Sequence, residues 1–259
     1  MTRIITFLSG KGGVGKTTVS TNFAEALNQA GKKVILVDAN ITTPNVGLHY
    51  GLSEEGFSLH DVLDGTKNIE DVIRKTSTGL MVIPGGINFK NLRRKMRKNM
   101  AREIIKLVNT VDYIIIDSSA GLGGETQLAL QSSDEVIIVT NPEIPAVTDA
   151  LRAKALCEEN RVHLLGVIIN KFTGYDFGLN NENISDFLEL PIVGIIPRDV
   201  KIKMSIKDRM PVVVSYPESK SAKHFKKLVN TVSGEELFIP DKSDSKFIAW
   251  MKKLIGLKD

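Results

Sequence analysis

The sequence predicts an α/β protein with a doubly wound, mostly parallel sheet and helices on both faces. Short apolar runs alternate with segments of helical period along most of the chain, without an internal repeat. A glycine-rich turn joins the first apolar run to the first helical segment, and acids end two later runs. The carboxyl ends of parallel strands meet in one crevice, so the same pattern indicates where a ligand would bind.

The glycine-rich turn has the pattern Gly-x4-Gly-Lys-Thr and follows the apolar run 4–8. Helical spacing of apolar residues then runs from Val19 to Ala30 and stops at Gly31. Backbone N–H groups of such a turn point at a phosphate, and the start of the next helix adds its positive dipole end. We therefore predict a nucleotide site in this phosphate loop. Its predicted binding residues are Gly10, Lys11, Gly12, Gly13, Val14, Gly15, Lys16, Thr17 and Thr18.

Four side chains have predicted chemical roles in this site. Lys16 reaches the β- and γ-phosphates and is a predicted catalytic residue, while the Thr17 hydroxyl is a predicted magnesium ligand. Asp38 ends the apolar run 33–37 and is a second predicted magnesium ligand. Asp117 ends the run 111–116 and is predicted to hold the ion through a water molecule. An acid at a strand end can instead cap the next turn.

Lys11 is not required by the general pattern. With it, residues 10–18 resemble the deviant phosphate loop of the MinD/ParA ATPases, and the resemblance extends over residues 1–235. It implies ATP and ADP as ligands together with Mg²⁺, and hydrolysis of ATP to ADP and phosphate. It also implies a homodimer formed on ATP binding, in which Lys11 acts as a catalytic residue on the partner's nucleotide. Without the resemblance, a solvated surface lysine is the simpler interpretation.

Two further segments resemble the switches of this family. In the first switch (residues 38–45), Asn40 stands where relatives have an aspartate that orients or deprotonates the attacking water. An amide can position water but cannot act as a base at neutral pH, so Asn40 is a predicted catalytic residue that supports slow hydrolysis. In the second switch (residues 118–124), the backbone of Gly121 is predicted to approach the γ-phosphate.

The resemblance also implies an adenine pocket. Asn170 follows the apolar run 164–169, where the family places its adenine-recognising asparagine. A turn-forming asparagine is an equal alternative on the sequence alone. The backbone of Pro197, Arg198 and Asp199 is predicted to complete the pocket.

Composition limits the classes of protein. The 259 residues are 42% hydrophobic and 25% charged, enough for one large domain with a buried core. No apolar run approaches the ~20 residues that span a bilayer, and no signal-peptide pattern precedes the first strand, so we expect a cytoplasmic protein. The single cysteine, Cys157, excludes internal disulfides and the paired cysteines of iron–sulfur carriers.

The net charge of +4 is concentrated in a basic run at residues 90–98, and the rest of the chain is mildly acidic. This run is interpreted as a solvated helix face or as a surface for anionic lipid or nucleic acid. Nucleic acid is not favoured, because no aromatic side chain interleaves the run. Its basic residues are Lys90, Arg93, Arg94, Lys95, Arg97 and Lys98.

The C-terminal part is predicted to be separate from the ATPase domain at 1–237. Residues 238–244 read as a linker, and residues 245–259 as an amphipathic helix with apolar residues on one half and lysines on the other. Such a basic helix with a tryptophan is typical of membrane surfaces, and MinD-like proteins carry a membrane-targeting helix at this end. A helix packed on the domain or on another subunit is the alternative. The predicted membrane-contacting residues are Phe247, Ile248, Trp250, Met251, Leu254 and Ile255.

These features together predict a MinD-like ATPase whose nucleotide state controls dimerisation and peripheral attachment to the inner face of the cell membrane. It would position or recruit an unidentified cargo or activator in cell division or other polar or septal machinery. A DNA-associating ParA-type partition ATPase is one alternative, resting on the basic run. An ATP-binding scaffold with very slow hydrolysis is another, resting on Asn40.

Overall fold

The computed structural model describes residues 1–53, 55–86, 99–174 and 181–238, apart from the side chains of residues 181 and 182. The basic run at 90–98, the predicted C-terminal helix and all but the first residue of the predicted linker lie outside the described residues. Within the described part of the chain, no helix is both long enough and apolar enough to cross a bilayer.

Eight strands of the described residues form one sheet. In chain order they are β1 (Arg3–Leu8), β2 (Val34–Asp38), β3 (Arg74–Lys75), β4 (Met81–Ile83), β5 (Tyr113–Asp117), β6 (Glu135–Thr140), β7 (His163–Phe172) and β8 (Ile192–Pro197). Their order across the sheet is β3-β4-β2-β5-β1-β6-β7-β8. All neighbours pair in parallel except β3, which is antiparallel to β4 at the edge. The predicted doubly wound, mostly parallel sheet is therefore confirmed.

Ten α-helices lie within the same residues. They are α1 (Lys16–Gln29), α2 (Val46–Tyr50), α3 (Leu59–Leu63), α4 (Met100–Ile104), α5 (Gly124–Gln131), α6 (Ile144–Glu159), α7 (Asn181–Leu188), α8 (Val200–Lys207), α9 (Val212–Ser215) and α10 (Lys220–Ser233). Two single 3₁₀ turns, Glu70–Val72 and Ile105–Leu107, complete the described helical structure.

Alternation along β1 explains how the sheet is covered on both faces. Ile5 and Phe7 belong to a core with α1 and α10, and the Phe7 and Phe23 rings lie 5.3 Å apart between centroids. Ile4 packs with residues of α4 on the opposite face, and Leu8 packs with residues of α6. Because β1 lies between β5 and β6, the loop that follows it opens into the crevice at the carboxyl ends of the strands.

Candidate functional site

The phosphate loop connects β1 to α1 and has a backbone that depends on glycine. Gly13 and Gly15 have φ angles of 80° and 92°, in the left-handed region. Gly10 packs so closely on α6 that a Cβ there would lie 2.0 Å from the Asp149 carbonyl oxygen. Helix α1 begins at Lys16, so its first backbone N–H groups, which have no partner within the helix, lie at the end of the loop. The loop and helix start thus form an anion-binding cradle.

Side chains from β7 hold the outside of this loop. The Nδ2 of Asn170 donates a hydrogen bond to the Val14 carbonyl oxygen at 2.7 Å. The next residue, Lys171, donates from Nζ to the Gly13 carbonyl oxygen at 2.6 Å. The neighbouring strand therefore supports the conformation of the loop.

Lys16, Thr17 and Asp117 form one hydrogen-bonded group. The Lys16 Nζ donates to Asp117 Oδ1 at 2.7 Å and to the carbonyl oxygen of Ser118, and the Thr17 Oγ1 donates to Asp117 Oδ2 at 2.7 Å. The Lys16 and Asp117 side chains are 5% and 1% exposed. Because both groups are buried, each charge needs the other as its partner, since an unpaired buried charge costs several kcal/mol. Phosphate oxygens entering the cradle would compete with Asp117 for the ammonium group.

Asp38 lies directly beside this group, since it pairs in register with Asp117 across β2 and β5. Its Oδ2 accepts from the backbone N–H groups of Asn45 at 2.9 Å and Val46 at 3.0 Å, and its Oδ1 accepts from that of Asn40 at 3.2 Å. Burial raises the pKa of Asp38, and the adjacent carboxylate of Asp117 raises it further. A divalent cation would relieve this repulsion between the two carboxylates.

The donor set at this point is one hydroxyl and two carboxylates, and hard oxygen donors of this kind suit Mg²⁺. Within the described ranges there is no cluster of three or more His, Cys, Asp or Glu side chains that could hold a metal ion. Magnesium usually retains several waters and binds through one or two carboxylates together with substrate phosphates. The residues present therefore fit a nucleotide-bound Mg²⁺.

In the first switch, Asn40 closes its own turn. Its Nδ2 donates to the Thr43 carbonyl oxygen at 2.6 Å, and its Oδ1 accepts from the Thr43 backbone N–H at 3.2 Å and from Oγ1 at 3.0 Å. Asn40 is 8% exposed, whereas Thr43 is on the surface. The amide thus shapes the switch through a single neighbour.

The second switch contacts the phosphate loop through its backbone. Gly121, with a φ of 85°, donates from its N–H to the carbonyl oxygen of Ser9, immediately before the phosphate loop, at 3.1 Å. In turn, the Gly121 carbonyl oxygen accepts from Thr126 Oγ1 of α5 at 2.8 Å. The glycine predicted to approach the γ-phosphate therefore links the phosphate loop to α5.

Lys11 projects toward α6. Its Nζ lies 3.7 Å from Glu143 Oε2, with side chains that are 31% and 62% exposed. An ion pair this exposed contributes little stability, so Lys11 can exchange Glu143 for another anion at small cost.

Comparison with known proteins gives the family of this chain. The family model described as ParA, NUBPL iron-transfer P-loop NTPase, matches residues 1–233. The septum site-determining protein MinD of Synechocystis is 34% identical over 244 residues, which cover 92% of this chain and 91% of that protein. An uncharacterized ATP-binding protein of Methanocaldococcus jannaschii is 34% identical over 254 residues, 97% of this chain and 96% of that protein. The chain belongs to the MinD/ParA family of P-loop ATPases.

Solved structures of MinD proteins superpose closely on this chain. The MinD cell division ATPase of Pyrococcus furiosus superposes with a TM-score of 0.86 at 35% identity, covering 90% of this chain and 99% of that one. MinD of Pyrococcus horikoshii, in complex with Mg-ADP, gives 0.85 at 34% identity, covering 95% and 98%. MinD in the MinC:MinD complex of Aquifex aeolicus gives 0.78 at 32% identity, covering 93% and 98%.

The cysteine chemistry of this MinD/ParA protein does not match the iron transfer named in the family description. Cys157 is the single cysteine of the sequence and is fully buried in α6. Burial raises the pKa of its thiol to about 12, so the thiol stays protonated. A lone, protonated and buried thiol does not provide the paired thiolates of an iron–sulfur site.

The residues predicted to line an adenine pocket in this MinD/ParA chain lie at the ends of β7 and β8. Phe172 pairs in register with Pro197, and its carbonyl oxygen accepts from the Arg198 N–H at 2.8 Å. The Asp199 carboxylate caps α8 by accepting from the Lys201 N–H at 2.9 Å, and it also accepts from Ser221 Oγ at 2.9 Å. The structure therefore places residues 197–199 near the end of the strand that carries Asn170, in a loop fixed by two helix starts.

Sequence reasoning missed two polar residues at the edge of the site, Lys171 and Glu125. Lys171 contacts the phosphate loop from a left-handed backbone position, φ 58°, for which a lysine gives no sequence signal. Glu125, in the first turn of α5, accepts a hydrogen bond from the Thr42 hydroxyl of the first switch. Only the spatial arrangement brings these two residues to the site.

Proposed function

We propose that this chain is a MinD-type ATPase that binds ATP with Mg²⁺, dimerises in that state and then attaches peripherally to the inner face of the cell membrane. The observation that carries the proposal is the group of Lys16, Thr17 and Asp117 at the end of a loop already supported by β7. The Mg-ADP complex of the Pyrococcus horikoshii homologue supports the choice of ligand.

In the nucleotide complex, Lys16 would exchange Asp117 for the β- and γ-phosphate oxygens. Thr17 and Asp38 would bind the magnesium ion directly, and Asp117 would hold it through water. When bound, the ion neutralises phosphate charge. Asn170 donates from Nδ2 to the Val14 carbonyl oxygen. Its Oδ1 would accept a hydrogen bond from the 6-amino group of adenine, beside the backbone of residues 197–199.

Dimerisation would use Lys11. In this proposal its ammonium leaves Glu143 and reaches the phosphates of the partner's nucleotide, so that ATP bridges two phosphate loops. The weak, exposed pair with Glu143 supports such an exchange. The MinD of Aquifex aeolicus is found in a complex with MinC, which supports a protein partner for this chain as well.

Hydrolysis would be slow. Asn40 cannot accept a proton at neutral pH, and both ends of its amide are bound to Thr43. Phosphoryl transfer depends mainly on positioning and charge stabilisation, so turnover is reduced rather than abolished.

Membrane attachment would use the apolar half of the C-terminal helix that the sequence predicts, which includes Trp250. One short amphipathic helix binds a bilayer weakly. Two helices held in one dimer act at a high effective concentration and raise binding by about 10²-fold to 10⁴-fold. Dimerisation on ATP would therefore switch membrane attachment on, and hydrolysis would release it.

Sedimentation with anionic vesicles tests this function, comparing ATP with ADP and the full chain with one ending at Asp244. We expect pelleting only with ATP and only with the C-terminal helix. The full-length variant Trp250→Glu is the matched control and should stay in the supernatant while its ATP-dependent dimer persists in light scattering. Failure of the wild type to pellet under every condition would refute membrane attachment, and steeply salt-dependent binding to duplex DNA would then favour a partition ATPase.

A further inference from the structure

A carboxylate of α5, the helix that follows the second switch, contacts the first switch. The Thr42 Oγ1 donates a hydrogen bond to Glu125 Oε1, which joins the first switch to the first turn of α5. Thr42 is only two positions from Asn40, where the family's second aspartate is absent. We propose that Glu125 orients the water that attacks the γ-phosphate, and so supplies from α5 the carboxylate that position 40 lacks. This inference rests on the proposed ATP hydrolysis.

Other described carboxylates near the loop already have defined partners. Asp38 accepts from two backbone N–H groups of the first switch and from that of Val46 in α2, and Asp117 is bound to Lys16 and Thr17. Glu143 faces the Lys11 ammonium. The Glu125 carboxylate has a different kind of partner, the neutral hydroxyl of the exposed Thr42. Such a bond is easily exchanged for one with water.

The backbone that carries Glu125 is fixed relative to the phosphate loop. The next residue, Thr126, is fully buried and its Oγ1 bonds to the Gly121 carbonyl oxygen at 2.8 Å and to the Ser119 Oγ at 3.0 Å. Gly121 in turn donates to the Ser9 carbonyl oxygen beside the loop. The Glu125 carboxylate is therefore held on a backbone tied to the phosphate loop, while its partner Thr42 belongs to the first switch.

The chemistry requires an ionised carboxylate, which only accepts hydrogen bonds and can take a proton. Glu125 accepts a hydrogen bond from the attacking water and fixes its direction. The water oxygen forms a bond to the γ-phosphorus while the bond to the β,γ-bridging oxygen breaks, and that electron pair leaves with ADP. The water's proton passes to Glu125 and then to solvent, giving ADP, phosphate and one proton.

The variant Glu125→Gln tests the charge, since glutamine keeps an oxygen that can accept from Thr42. We expect turnover to fall by between about 10-fold and 10⁴-fold, the latter being the upper end of general-base contributions. Affinity for a fluorescent ATP analogue should be unchanged. The double variant Asn40→Asp/Glu125→Gln should recover at least the wild-type turnover, because the carboxylate returns at position 40.

Glu159→Gln is the matched control, since Glu159 is exposed at the far end of α6, and its turnover should equal that of the wild type. Wild-type turnover in Glu125→Gln, or a loss that Asn40→Asp fails to rescue, would overturn the role of Glu125. A wild-type chain that binds ATP without hydrolysing it would overturn the proposed ATPase as well, so the two failures are distinguishable.

A second measurement needs no nucleotide. Hydrogen exchange of the backbone amides of residues 39–43 and 45 should be faster in Thr42→Val and Glu125→Ala than in the wild type, and Thr42→Ser should retain wild-type exchange because it keeps the hydroxyl. Thr42→Val should also lower turnover severalfold, less than Glu125→Gln, since the carboxylate remains but is no longer held. Unchanged exchange in both variants would contradict the contact on which the proposal depends.

Discussion

The phosphate loop and the first switch are neighbours in the crevice, yet they are held in different ways. Asn170 and Lys171, far away in sequence, bind carbonyl oxygens of the phosphate loop, and the loop ends in the buried pair of Lys16 and Asp117. The first switch is shaped chiefly by short contacts within itself, such as those of Asn40 with Thr43. Contacts with distant residues thus hold the phosphate loop, whereas the first switch depends on local contacts and can rearrange more easily. Nucleotide binding and turnover should therefore respond to different substitutions.

The largest expected effect is on the buried pair. Lys16→Met should lower the free energy of unfolding by about 3–5 kcal/mol, because it leaves Asp117 unpaired beside Asp38, and it should abolish ATP binding. Urea unfolding of the nucleotide-free protein measures the first effect. Lys171→Met is the control, a loop-contacting lysine that is exposed, and it should unfold at nearly the wild-type urea concentration. Equal free energies of unfolding for the two variants would contradict the larger contribution of the buried Lys16–Asp117 pair.

The next largest expected effect is a loss of stability when the packing of the phosphate loop against α6 is disturbed. Gly10→Ala places a Cβ 2.0 Å from a backbone oxygen of α6 and should cost about 1–3 kcal/mol of stability. Gly12→Ala is the matched control, because its Cβ would meet only Ala120 Cβ, at 3.8 Å. Thermal unfolding without nucleotide should separate the two alanine variants clearly. Similar melting temperatures would show that the loop is not pressed against α6.

A smaller effect is expected at Asn170. Asn170→Ala removes the hydrogen bond to the Val14 carbonyl oxygen and should lower the free energy of unfolding by about 1 kcal/mol. If its oxygen also binds the adenine amino group, the variant should lose part of its preference for ATP over GTP in competition binding. A stability loss with an unchanged preference would restrict Asn170 to supporting the loop.

The local parts of this site could be predicted from the sequence. The phosphate loop and the acids Asp38 and Asp117 follow directly from strand, turn and helix patterns, and the MinD/ParA resemblance is confirmed. Helices such as α2 and α8 were not predicted, because five and eight residues are too few to show a helical period.

Contacts between distant residues could not be predicted in the same way. Lys16 and Asp117 are 101 positions apart, and Asn170 is 156 positions from Val14. The sequence reveals that Asn40 replaces an acid, but not that its amide binds Thr43 or that Glu125 lies against Thr42, 83 positions earlier. These contacts depend on which strand ends the sheet order brings together.

Asn40→Asp tests the separation of binding from turnover most directly, with affinity and hydrolysis measured on the same samples. Aspartate keeps an oxygen for the Thr43 N–H, loses the donor to the Thr43 carbonyl oxygen and adds a carboxylate to the switch. The predicted result is an unchanged affinity for a fluorescent ATP analogue with turnover raised severalfold. Hydrolysis no faster than in the wild type, or a change in affinity as large as the change in rate, would contradict this account.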